Sequence, residues 1–120
     1  MEYKVIFTDE CEKWLLALKE AEQIDVFAVI RLLEELGPQL GFPYSSKING
    51  SKYAHMRELR IQHKGKPYRI LYAYDPKRMA ILLIGGNKVG NDRWYKKHVP
   101  IADKLYAKHL KGLLEGHDND

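Results

Sequence analysis

The chain has 120 residues, 45% of them hydrophobic, and a formal net charge of +4, which fits one compact domain able to bury a core. Its single cysteine, Cys11, excludes an intramolecular disulfide and a multi-cysteine zinc site, and the longest apolar run, Met79 to Ile84, falls far short of the roughly 20 residues a membrane helix needs. The charge is unevenly placed: thirteen of the 20 Lys and Arg residues lie between Tyr44 and His98 with only three acids, Glu58, Asp75 and Asp92, whereas residues 1–43 carry nine acids and four bases.

In chain order, Tyr3 to Thr8 alternates and is rich in Val, Ile and aromatic residues, which predicts a first strand. Asp9 is placed to cap a helix with Glu12 three positions on, and Cys11, Trp14, Leu15 and Leu18 make one apolar stripe. A second stripe, Val26, Val29, Ile30, Leu33 and Leu36, runs to the stop signals Gly37 and Pro38, so two helices form a hairpin. The period then changes to two, with strands near Ala54 to His63, Pro67 to Asp75 and Met79 to Asn87, joined by turns centred on Lys64-Gly65 and Pro76-Lys77. A final helix begins with Pro100 in its first turn and carries Ala102, Leu105, Tyr106, Leu110 and Leu113 at helical spacing, with a further helical turn around Trp94. The expected fold class is α+β: an N-terminal strand, a helical hairpin, an antiparallel three-stranded meander and a C-terminal helix. One domain spans 1–115, and 116–120 is a frayed tail.

Clustered cations of this density favour a polyanion, with phosphate backbone the commonest, against the plainer reading of a solvated basic face. A turn centred on Lys64-Gly65 sets Arg60 directly opposite Arg69, a like-charge pair that asks for a compensating anion or acid. A two-residue turn at Pro76-Lys77 places Ile84 opposite Arg69 and puts Gly86 and Lys88 on the same face, so Arg60, Arg69 and Lys88 converge there. Leu59, Ile61, Tyr68, Ile70, Tyr72, Ile81 and Leu83 occupy the other face, which the N-terminal helices cover. The cationic face is then open as a site. Glu58 shares it and is able to pair with one of the arginines.

Metal-free RNA cleavage by 2′-hydroxyl attack needs stabilisation of a dianionic phosphorane and management of two protons. Arginine forks suit the first task. For the second, the sequence offers Tyr95, Lys88 and His55, with a Tyr or Lys pKa lowered by neighbouring cations. Trp94 and Tyr95 offer flat surfaces for an unpaired base. The five histidines lack ligand spacing on one helix face, so no metal is expected. Gly85, Gly86 and Gly90 match no nucleotide fingerprint and no cofactor is implied. Cys11 reads as core.

The segments Glu58 to Arg60, Tyr68 to Tyr72, Ile84 to Lys88, and Trp94 with Tyr95 stand in an order that resembles the RelE/ParE toxin superfamily, specifically its phage-derived HigB-like branch. The resemblance implies a type II toxin that cuts mRNA, usually on the translating ribosome, and is silenced by a helix-turn-helix HigA-like antitoxin, with a heterotetramer as the assembled form; the single cysteine suits a reducing cytoplasm. By the same resemblance Arg69 looks like the phosphate-stabilising arginine, Lys88 the cation at the end of the last strand, Tyr95 the catalytic tyrosine and Arg60 a basic strand residue. Lys47, His55, Arg57, Arg93, Trp94 and Lys96 are expected to contact RNA. RelE-like enzymes carry lysines where this chain has Met56 and Glu58, which leaves the proton acceptor open. His55 is a substitute, although strand parity places it with Arg57 on the core side unless the strand end bends. Two other functions fit the same scaffold: a ParE-like gyrase poison and a non-toxic RNA-binding prophage protein.

Overall fold

A computed structural model describes residues 2–89 and 92–116 of the chain. Apart from Gly116, the tail expected at 116–120 lies outside the described residues, as does Gly90. The elements are β1 (Val5–Phe7), α1 (Asp9–Leu16), α2 (Glu20–Leu36), a 3-10 turn at Gly37–Gln39, β2 (Ser45–Lys47), β3 (Arg57–His63), β4 (Lys66–Tyr74), β5 (Ala80–Asn87) and α3 (Asp92–Leu114). They build a five-stranded sheet in the order β1-β5-β4-β3-β2. β1 runs parallel to β5, and the other neighbours pair antiparallel.

Both N-terminal helices lie on one face of the sheet, α1 over β5 and α2 over β3. The cap of α1 is Thr8 rather than Asp9: its Oγ1 accepts from Cys11 N at 3.0 Å and donates to Leu83 O at 2.6 Å, so one hydroxyl ties the helix start to β5. Asp9 instead sits in the first turn, where a negative charge complements the helix dipole. On α2, Glu22 accepts from Lys19 N and from the Tyr68 hydroxyl, and Asp25 pairs with His63 at 2.6 Å. These acids clamp α2 to the β3–β4 hairpin. The predicted stripes are buried except at the edges, where Trp14 and Leu18 are half-buried and Leu36 is exposed.

The Lys64-Gly65 turn has positive φ at both residues, 48° and 79°, the two-residue geometry that favours glycine. It sets the expected register, with Arg60 opposite Arg69. The second hairpin departs from expectation. Its turn closes through Arg78 N to Asp75 O, with Arg78 at φ 64° before Met79 pairs back to Asp75. Asp75 Oδ1 accepts from Lys77 N and Met79 N. The extra residue shifts the register by one, and a bulge at Leu71/Tyr72 shifts it again, so Gly86 rather than Ile84 faces Arg69, and Leu82 rather than Ile81 faces Tyr72.

The shift redistributes the core. Leu59, Ile61, Tyr68, Ile70, Tyr72 and Leu82 face α1 and α2, whereas Ile81 and Leu83 join Leu71 and Ala73 on the opposite face. That face is not open. It is covered by α3, which begins at Asp92 and takes Pro100 into its interior, so Trp94, Val99, Ala102 and Tyr106 seal a second core with Met56. A lost N–H at Pro100 is tolerated because the burial it permits on either side outweighs one missing helix bond. Asp103, also buried, accepts from Ser51 Oγ and Lys52 N and fastens the loop before β3 to this helix.

Candidate active site

Alternation along β3 turns Glu58, Arg60 and Gln62 toward the α3 side and Arg57, Leu59 and Ile61 toward α1 and α2. Glu58 is the centre of the resulting cluster. Its Oε2 accepts from Ser46 Oγ at 2.7 Å and Arg60 Nη1 at 3.1 Å, and its Oε1 accepts from the Tyr95 hydroxyl at 2.5 Å. Arg69 Nε stands 3.5 Å from Oε1. That separation supports Coulomb attraction but not a formed hydrogen bond, and among the described residues the buried Arg69 Nε has no hydrogen-bond partner. Arg69 Nη1 donates to Tyr68 O at 2.9 Å. Lys88 Nζ lies 5.7 Å from the Tyr95 ring centre, within cation–π range. The like-charged pair set by the hairpin thus receives its compensating acid from within the same strand.

The three cations do converge, but not on an open face. Arg69 is 2% exposed and Glu58 3%. The first turns of α3 lie across them, and the Arg60 side chain, 27% exposed, is the part of the arginine pair that reaches solvent. Gly86, opposite Arg69, is the close-approach point that permits this lid: a Cβ there would meet Trp94 Nε1 at 2.5 Å.

Tyr95 also differs from expectation. Burial first, then the hydrogen bond to Glu58 and the charge of that carboxylate, push its phenol up from 10 to about 12, with Arg69 pulling the other way. A tyrosine held so firmly protonated is a donor at neutral pH, not a base. Tyr68, bonded to Glu22, is likewise pushed up to about 12. Because the folded protein binds these protons more tightly than the unfolded chain, the associated stability is complete below pH 10 and is lost as pH rises toward 12. The urea midpoint should therefore fall across that interval. The fall should be smaller in Tyr95→Phe; an identical fall in both proteins would contradict the protonated-donor assignment.

The remaining residues expected at the site separate into groups. Trp94 is 6% exposed, stacked on His98 with ring centres 4.3 Å apart, and belongs to the second core; it offers no free face to a base. His55 is exposed and bonds the Tyr106 hydroxyl at 3.0 Å. Tyr106 is eleven residues beyond Tyr95, about 16 Å along the helix axis, so His55 does not join the cluster. The strand begins only at Arg57, which frees His55 from the parity that would have turned it toward α1 and α2. Arg57 donates to Ser45 Oγ at 3.0 Å on the α1/α2 side, with Lys47 as its neighbour in β2. Arg93 and Lys96 are exposed and flank Trp94 and Tyr95 in the first turns of α3. Among the described residues no group of three or more His, Cys, Asp or Glu is placed to hold a metal ion, and no helix is long and apolar enough to cross a membrane.

A parallel edge strand, two helices on one face, a meander and a helix closing over paired arginines define a RelE-like fold. It superposes on a mutant of the E. coli toxin RelE in the free state with a TM-score of 0.58 at 13% identity, covering 90% of this chain and 98% of that one. The archaeal RelE–RelB complex from Pyrococcus horikoshii matches with a TM-score of 0.55 at 19% identity, covering 75% of this chain and 99% of the other. Residues 13–107 match the family described as phage derived protein Gp49-like, and the chain belongs to that family. The Mycobacterium tuberculosis protein named "Putative toxin HigB3" is 46% identical over 101 residues, 83% of this chain and 87% of that protein. HigB2 of the same organism, named in the same way, is 43% identical over 99 residues, which is 81% of this chain but 49% of its own length.

Proposed function

We propose that the protein is the toxin of a type II toxin–antitoxin pair and a metal-independent endoribonuclease that cuts mRNA on the translating ribosome in the cytoplasm. The observation that carries this reading is the Glu58–Tyr95 contact at 2.5 Å between two arginines, a carboxylate and a phenol able to exchange a proton beside guanidinium groups suited to phosphate. Membership of a family whose relatives bear toxin names supports the biological role.

The geometry suggests how the chemistry divides. Arg60, the partly exposed arginine, rotates from Glu58 onto the scissile phosphate, with Lys88 beside it and Arg69 fixed behind. Glu58, relieved of Arg60, takes the proton of the attacking 2′-hydroxyl as the 2′-oxygen bonds to phosphorus. The bond from phosphorus to the 5′-oxygen breaks, and Tyr95 donates its proton to that leaving oxygen. Glu58 then returns the collected proton to Tyr95 across their hydrogen bond, restoring the couple and leaving a cyclic phosphate and a 5′-hydroxyl. Glu58 thus takes the place first considered for Tyr95, Lys88 or His55. Arg93, Lys96 and Lys47 are exposed and serve as outer RNA contacts.

Induction should halt translation and produce new 5′ ends within reading frames by primer extension. Tyr95→Phe should reduce cleavage on the order of 100-fold or more while costing about 1 kcal/mol of stability; full toxicity of that variant would defeat the mechanism. A silencing partner with a helix-turn-helix domain and an acidic contacting segment, HigA-like and assembling as a heterotetramer, completes the proposal. The sealed state of Glu58 and Arg69 gives the second reading its support: a ParE-like gyrase poison, or a non-toxic RNA binder, would need no access to them. An induced DNA-damage response with intact messages would select the former, and normal growth with salt-sensitive RNA binding the latter.

A further inference from the structure

The loop between α2 and β2 carries a feature outside the cluster described above. Phe42 is 76% exposed, and the guanidinium carbon of Arg60 lies 5.1 Å from its ring centre, so one ring face is held by a cation and the rest is open to solvent. The loop is held beside β3 by Arg60 N donating to Tyr44 O at 2.8 Å. β2 pairs with β3 no further than Leu59, so among the described residues no strand pairs with the outer edge of β3 beyond Arg60. The alternation that directs the Arg60 backbone outward does the same for Gln62, whose N–H and C=O point into the gap. There a cleft of about 300 Å³ is lined by Pro43 and Tyr44 of the loop, Arg60, Ile61 and Gln62 of β3, and Asp25 and Val29 of α2. Asp25 is already engaged by His63.

We infer that Phe42 is a stacking platform for one unpaired RNA base next to the scissile phosphate, with the edge of β3 at Gln62 reading that base. The inference deepens the nuclease reading and rests on it for the word scissile; base binding itself does not require cleavage. Arg60 touches both Phe42 and Glu58, so one side chain links the platform to the phosphate position, as a nucleotide links its base to its phosphate. Aromatic stacking is how sequence-tolerant single-strand binders hold bases, and a guanidinium on the same ring strengthens it. The ring stands against the Arg60 guanidinium, a cation suited to the phosphate of a nucleotide whose base lies on the ring.

The test uses the full-length protein and a short single-stranded RNA carrying 2-aminopurine, whose fluorescence is quenched by stacking. Wild type and Phe42→Trp should quench and bind alike, whereas Phe42→Ala and Phe42→Leu should lose the quench and about ten-fold in affinity. Absence of quenching with the wild type, or an unchanged quench with Phe42→Ala or Phe42→Leu, overturns the platform. So does a Phe42→Ala variant that quenches normally but loses its hold on the antitoxin, because the ring is then a protein contact. The two proposals fail separately. Phe42-dependent quenching with intact messages in induced cells keeps the platform and removes the nuclease, and message cleavage with Phe42-independent quenching does the reverse.

Discussion

Glu58→Ala should cost about 3 to 5 kcal/mol, the range for removing one partner from a buried ion pair, read as a lower urea midpoint. The carboxylate accepts from Ser46, Arg60 and Tyr95 and faces Arg69 across 3.5 Å, and Arg69 is 2% exposed. Deleting the carboxylate therefore strands a guanidinium in a low-dielectric site, with the Tyr68 carbonyl and the neutral Tyr95 phenol in place of a counter-ion. Arg60→Ala should cost less, under about 1 kcal/mol, because its head is partly solvated and screened. The double variant Glu58→Leu/Arg69→Met should recover most of the loss, since apolar pairs of similar volume replace buried ion pairs at little cost. It should nevertheless be inactive. A stable, inactive double variant separates the structural and chemical roles of the cluster. If Glu58→Ala alone unfolds at the wild-type midpoint, the carboxylate is not the internal counter-ion of Arg69.

Trp94→Ala should have an effect of similar size, about 3 to 5 kcal/mol, as expected for emptying a packed aromatic site. Trp94 lies over Gly86, stacks on His98 and belongs to the same buried cluster as Met56, Leu83 and Val99. Its removal should also lower activity, because it seats the turn that carries Tyr95 over Glu58. Gly86→Ala approaches the same contact from the sheet side, since its new Cβ would collide with the indole, and should lower the melting temperature in the same direction. A Trp94→Ala protein with wild-type melting and wild-type toxicity would show that the start of α3 does not close the site.

The elements were largely legible because their causes are local. The two-residue turn at Lys64-Gly65 dictates which residue of β3 faces which residue of β4, so the opposition of Arg60 and Arg69 follows from chain connectivity. The stripes of α1 and α2 are equally local. What went unread involved partners distant in sequence. β2 is three polar-leaning residues, Ser45–Lys47, too short to alternate visibly. Arg78 in the left-handed region and the bulge at Leu71/Tyr72 each moved β5 by one position, and neither residue type announces such a role. Pro100 reads as a helix start, so in sequence the eight residues before it show only a separate turn around Trp94, whereas α3 begins at Asp92. The parity of Glu58 with Arg60 was visible, and it was the available signal for the carboxylate at the centre of the site.

By itself, then, the chain's order of residues determined the α+β element sequence, the basic middle and the facing arginines, because turn length and side-chain period act between near neighbours. Only the tertiary structure decided that the second face of the sheet is a core, that Arg69 and Trp94 lie beneath α3, and that Glu58 rather than solvent faces the cations. Those outcomes depend on where a helix from the end of the chain comes to rest. Its position is set by the summed burial of Trp94, Val99, Ala102 and Tyr106 against β4 and β5, a property of the assembled surface that no stretch of sequence contains alone.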